Sequence, residues 1–133
     1  KRLYYAANRG IICRMKNDRK GLMRILFAAK YSMDGFAAAF RSEAAFRQDC
    51  LLCAVLFSAA WIPDVSGGER CALIMPLFVL LIAELLNSAV EKCVDISSPE
   101  FSSLAKFAKD AGSAAVFAAL ANIAVCWAAV LLF

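Results

Sequence analysis

From Ala111 to Phe133 the chain carries no charged side chain. A helix of roughly 20 apolar residues is what it takes to cross the ~30 Å hydrocarbon core of a bilayer. In water such a stretch would need protein on every side. A chain of 133 residues has little to offer, because small domains bury a smaller share of their surface. Hydrophobic residues are 62% of the whole and the mean hydropathy is +0.66, against roughly 45–50% apolar content in soluble domains. The length is that of one domain. Lipid must take up the excess, and the chain reads as an all-α integral membrane protein.

Two further apolar runs precede this one. Cys50 to Pro63 is uncharged and ends in the turn Pro63-Asp64-Val65-Ser66-Gly67-Gly68; Cys71 to Ala83 is uncharged until Glu84, after which Leu85 to Val90 continue the pattern. Both reach spanning length only if their polar ends are included. The expectation is therefore three transmembrane helices. Upstream, Leu22, Ile25, Leu26 and Ala29 share one helical face and Arg24 and Tyr31 another, which predicts an amphipathic helix lying in the interface plane. Gly35 is expected to end or kink it before a second helical stretch from Phe36 into the first span. Ser98 followed by Pro99 reads as an N-cap with proline at the first helical position.

The formal charge is +4, and eleven of the fifteen Lys and Arg residues lie before position 48. Followed by apolar spans, this basic arm points to an anionic membrane surface rather than to nucleic acid. Lys92, Lys106 and Lys109 flank the second link, whereas the first has Arg70 beside Asp64 and Glu69. The positive-inside rule then places the N-terminus and the second link in the cytoplasm and the C-terminus outside. Residues 1–21 read as a basic, mobile extension and 22–133 as the membrane-embedded domain. No secretory signal is evident, and the initial Lys in place of Met reads as a fragment or processed form. Six Cys and no His make zinc improbable; the lone pair Cys50 and Cys53 reads as packing.

Glu84, Asn87, Glu91 and Asp95 follow at i, i+3, i+7 and i+11, within about 80° on one helix face. An acid in a span costs at least ~2.5 kcal/mol on insertion scales, so this stripe must face a crevice or water. Glu43 lies at the mouth of the first span, and Lys106, Lys109, Asp110 and Ser113 share a face of the third helix at the same depth. Carboxylates, an amide and ammonium groups suit a divalent cation with a phosphate group. Charges that merely pair to hold a bundle, or snorkel, are the competing reading. No Walker loop, GxGxxG or zinc motif is present.

These residues carry a resemblance. Glu43-Ala-Ala-Phe-Arg-Gln48, Glu84-Leu-Leu-Asn-Ser-Ala-Val-Glu91 with Asp95, and Ala108-Lys-Asp-Ala-Gly-Ser-Ala-Ala-Val116 resemble the prokaryotic diacylglycerol kinase family, over roughly residues 22–133. The resemblance implies ATP-dependent phosphorylation of diacylglycerol to phosphatidic acid by a homotrimer in the inner membrane of a Gram-negative bacterium, with Mg²⁺ as cofactor. Glu84 would be the general base, with Asn87 at the reacting centre. Glu43 and Glu91 would hold the cation. The nucleotide would be met by Arg24, Tyr31, Glu43, Glu91, the segment Glu100, Phe101 and Ser102, and by Lys109 and Asp110. The lipid would be met by Arg24, Phe46, Gln48, Glu84 and Ser113, with Asp95 as a supporting polar group. Asp34 and Phe27 stand where the best-known members carry lysines, and Asp49 replaces a glutamate.

Two other functions stay open at this point. A related branch phosphorylates undecaprenol and shares the Glu84 stripe, although Phe46-Arg47-Gln48-Asp49 and Lys109 to Ala115 look more like the diacylglycerol branch. A non-enzymatic channel or assembly subunit would also explain polar stripes, through pairing alone.

Overall fold

The computed structural model describes residues 21–98 and 102–133, and these are helical throughout apart from short links. The elements are α1 (Leu22–Ser42), α2 (Ala44–Ala59), α3 (Gly67–Ser97) and α4 (Ser103–Leu132). The chain divides into two compact units, Lys1–Phe36 and Ala37–Phe133. The expected basic extension lies almost wholly outside the described residues.

In the first unit α1 buries no side chain. Leu22, Ile25 and Leu26 are 73%, 65% and 57% exposed, the apolar face the spacing predicts. Gly35, however, does not end the helix, which runs on to Ser42. A helical glycine costs only about 1 kcal/mol relative to alanine, and Ala37, Ala38 and Ala39 follow it after Phe36. The break falls instead at Glu43, whose extended backbone (φ −108°, ψ 120°) makes it the N-cap of α2. Arg47 Nη1 clamps this bend by donating to the carbonyls of Phe40 and Arg41, at 3.1 and 3.3 Å, which otherwise end α1 without partners.

In the second unit α2 packs on α3 and α3 on α4. The α2–α3 turn is held by a capping box: Ser66 Oγ accepts from Glu69 N–H at 3.3 Å, and Glu69 Oε2 accepts from Ser66 N–H at 2.7 Å. Arg70 donates to the Pro63 carbonyl at 3.3 Å and lies 4.9 Å from the centroid of the Trp61 ring. At the other end, Ser98 is not the start of a helix but the C-cap of α3. Pro99 explains the correction, since the residue before a proline is driven out of helical backbone. The N-cap of α4 is Ser102.

α3 and α4 are long and apolar enough to cross a membrane. α2, with 16 residues, is about 24 Å long and is the short one of the three expected spans. Only 11% of the most apolar window of α4 is buried, unlike a core helix of a water-soluble fold. Cys53, Leu77, Leu80, Ala119 and Ile123 form the core, with Leu56, Val116 and Trp127 against it.

Pro76 lies inside α3 and is buried. It cannot donate a backbone hydrogen bond, and in a membrane such a gap is tolerated when neighbouring helices supply donors. The carbonyl left without its helical donor is that of Ala72; beside it, Trp127 Nε1 donates to the Leu73 carbonyl at 3.1 Å, and Cys53 Sγ to the Leu77 carbonyl at 3.5 Å. Trp127→Phe is expected to lower stability by about 0.6–1.7 kcal/mol, the range of hydrogen bonds between membrane helices. The midpoint of unfolding by added SDS reads this directly; an unchanged midpoint would show the bond to be idle.

Candidate active site

Leu73, Leu77, Leu80, Glu84, Asn87 and Glu91 step along α3 by four and three residues in turn, which keeps them on one face. The first part of that face is core: Leu73 is 0% exposed, Leu77 3% and Leu80 0%. Glu84 continues it at 4% exposed, and Asn87 and Glu91 are half-buried. The polar stripe is therefore the inward face of α3 itself, changing from leucine to carboxylate along its length. The start of α2 brings more acid to the same place. Asp49, Glu91 and Glu43 all lie within electrostatic range of Glu84.

The basic residues pair with some of these acids and leave others. Lys92 Nζ is 2.9 Å from Glu43 Oε1, and that hydrogen-bonded ammonium holds the Glu43 carboxyl below the usual carboxylate range. Lys109 Nζ reaches across from α4 to Asp95 Oδ1 at 2.5 Å, and Lys106 pairs with Asp110 one turn along α4. Among the described residues, Asp49, Glu84 and Glu91 have no lysine or arginine at ion-pair distance. Three carboxylates thus share a region with no compensating cation bound to them. Asn87 Nδ2 makes a long contact of 3.5 Å to Glu91 Oε1. Its other atom, Oδ1, is buried without a partner and faces Gly112, where a side chain would overlap it.

Of the residues singled out by sequence, the fold brings together Glu43, Glu84, Asn87 and Glu91. Lys109 and Asp95 meet each other. Asp110 is exposed and pairs with Lys106, and Ser113 and Gln48 are exposed on their helices. Arg24 and Tyr31 are exposed on α1, Tyr31 with its ring 6.4 Å from that of Phe27. Ser102 caps α4 without a side-chain hydrogen bond; Glu100 and Phe101 lie outside the described residues. Phe46 lies inside the fold. It is 1% exposed, among the largest fully buried side chains of the described residues. Two members of the cluster are visible in the sequence but have no part in the site there. Asp49 left a faint signal, an acid at the edge of an apolar run. Lys92 left none, since its partner lies in another helix.

The oxygen donors suit a small hard cation in a particular way. No three Asp, Glu or Cys side chains among the described residues converge closely enough to enclose a metal ion. Mg²⁺ commonly binds through one or two carboxylates and completes its shell with water and substrate phosphates, so Glu43 and Glu91 fit it only if a phosphate-bearing ligand is present. Beside the acids, α3 and α4 leave an apolar groove of about 820 Å³. Small residues of α4, Ala111, Gly112 and Ala115, line it, with Asn87 and Asn122 as its polar members.

Comparison with known proteins decides the family. The model of the family described as "Prokaryotic diacylglycerol kinase" matches residues 30–131. The chain belongs to the prokaryotic diacylglycerol kinase family. Diacylglycerol kinase of Pseudomonas aeruginosa is 56% identical over 112 residues, covering 84% of this chain and 91% of that one. Diacylglycerol kinase of Escherichia coli is 43% identical over 115 residues, covering 85% and 93%. Diacylglycerol kinase of Haemophilus influenzae is 37% identical over 113 residues, covering 85% and 96%. As a member of this family the chain is an enzyme, a membrane-bound kinase, and its exposed apolar helices are those of a membrane protein.

Proposed function

We propose that the chain phosphorylates diacylglycerol with ATP at the cytoplasmic surface of the bacterial inner membrane, giving phosphatidic acid and ADP. The observation that carries this is the cluster of Asp49, Glu84 and Glu91, acids without a basic partner among the described residues, at the charged end of the α2–α3–α4 bundle. Acids left unpaired beside lipid need a use, and a proton acceptor with cation ligands is the use that kinase chemistry supplies.

In this reading Glu84 accepts the proton of the lipid hydroxyl. The hydroxyl oxygen bonds to the γ-phosphorus of ATP as the bond from that phosphorus to the β–γ bridging oxygen breaks, and ADP leaves. Glu43 and Glu91 hold Mg²⁺, which when bound neutralises phosphate charge. Asn87 orients Glu91. Lys109 exchanges Asp95 for the nucleotide phosphates, with Asp110, Arg24, Tyr31 and the segment 100–102 completing the nucleotide site. Gln48, Ser113 and Arg24 meet the lipid headgroup, and the apolar groove beside Asn87 gives acyl chains a place. Positioning and charge neutralisation are most of what phosphoryl transfer requires of a protein, so no P-loop is needed. α2 makes the third crossing, with its polar ends in the interface, and α1 lies on the cytoplasmic surface. A three-helix chain has little room to enclose both ATP and a lipid by itself, and the resemblance implies a homotrimer.

The experiment is lipid phosphorylation by purified protein in mixed micelles with Mg²⁺ and γ-labelled ATP. Labelled phosphatidic acid is expected from diacylglycerol, suppressed by EDTA. Undecaprenol offered in competition tests the sister activity, and its preferential labelling would transfer the protein to that branch. No labelled lipid from either would return the stripe to a structural role.

A further inference from the structure

Lys92 is the basic group of the cluster that neither the helical spacing nor the family strings assign. It follows Glu91 on α3 and so stands about 100° off the Glu84–Asn87–Glu91 face. Its side chain is 63% exposed, yet its Nζ lies 2.9 Å from Oε1 of Glu43, which is only 20% exposed. Asp95 and Glu91 are also within electrostatic range of it. The ammonium thus sits among the very carboxylates that the proposed cation would need, and on an oxygen of one of them. The other two lysines of the region are engaged elsewhere, Lys109 with Asp95 and Lys106 with Asp110. A singly charged tethered cation occupies a place that suits a doubly charged free one.

We propose that Lys92 is a positioning residue that competes with the divalent cation for Glu43. It holds the carboxylate toward α3 while the site is empty of cation, and releases it when the cation arrives. This rests on the reading of Glu43 as a cation ligand. Release is easy because the lysine is exposed: water receives the ammonium as it leaves. Exposed ion pairs contribute little, so the competition amounts to about a two- to fivefold change in cation affinity. Lys92 therefore sets the cation concentration at which the site fills, and a chain with a neutral residue there fills at a lower one.

The test needs no turnover. Mn²⁺ is titrated into the purified full-length chain in detergent with a fixed concentration of a non-hydrolysable ATP analogue, against the same titration without protein, and free Mn²⁺ is read by electron paramagnetic resonance. Lys92→Gln is expected to bind Mn²⁺ about two- to fivefold more tightly than the unaltered chain. Lys92→Arg is expected to bind it no more tightly, because a guanidinium fork grips a carboxylate at least as well. A lysine that only braces α2 against α3 would lower the unfolding midpoint when replaced and leave the Mn²⁺ constant alone, and that result overturns the proposal. Glu43→Gln separates the two levels. If it loses Mn²⁺ while Lys92→Gln changes nothing, the role of Lys92 alone is refuted. If it binds Mn²⁺ normally, the ligand assignment falls and the proposal with it.

Discussion

Glu84→Gln is expected to lower kcat by about 10²–10⁴-fold, the usual contribution of a positioned proton acceptor, and to raise the stability of the protein at the same time. The substitution is nearly isosteric, which matters at a position 4% exposed. Glutamine fills the same space but cannot accept the hydroxyl proton. Asp49, Glu91 and Glu43 surround this carboxylate, and among the described residues no basic group pairs with it. Its charge therefore meets repulsion and incomplete solvation, and removing it relieves both. The combination of lost activity with gained stability is the mark of a group kept for chemistry. A pairing role would give the reverse, a less stable protein. Lipid phosphorylation and SDS unfolding of the same preparation distinguish them; activity within about threefold of the unaltered enzyme would remove Glu84 from the role of base.

Gly112→Ala should act on the same centre from α4, with at least about a tenfold loss of activity and about 1–3 kcal/mol of destabilisation, the range for overfilling a packed site. A methyl group there would overlap Asn87 Oδ1 and lie 3.4 Å from Asn87 Cγ and 3.6 Å from its Cα. The amide is the part that can give way, and in turning it leaves its contact with Glu91 Oε1. The cation ligand is then less well held although no ligand has been changed. Asn87→Ala combined with Gly112→Ala tests the route. Without the amide the methyl has room, so the two stability effects are expected to be non-additive, while activity stays low because Asn87 is missing. Full activity in Gly112→Ala would mean that the close approach of α4 has no bearing on the centre.

Legibility in the sequence followed the range of the interactions concerned. Ala111–Phe133 announces a spanning helix because desolvation of a charge-free run depends only on composition over some twenty neighbours. The Glu84–Asn87–Glu91 face was equally readable, since helical geometry turns spacing into direction without help from the rest of the fold. Boundaries were less so. Gly35 was expected to break a helix and does not, while Glu43 does; the difference lies in the alanines after Gly35 and in the Arg47 clamp on the Phe40 and Arg41 carbonyls. Ser98 before Pro99 reads in the sequence as an N-cap and is in the fold a C-cap, since Pro99 acts on the helix before it. Phe46 belongs to a string typical of the family, and its burial is a matter of packing that the string does not state.

The uncharged run with which the chain ends determined, by itself, that lipid is the solvent of this protein, and the period of the acids determined that they share a face. Tertiary structure decided what that face meets. Packing of α2 and α4 on α3 turned Glu84 inward, on the line of Leu73, Leu77 and Leu80. The same packing joined Glu43 to Lys92 and Lys109 to Asp95, and laid Asn87 against Gly112. Composition and period are local and can be read one residue at a time. Ion pairs and close approaches between helices depend on distances that exist only after the helices have packed.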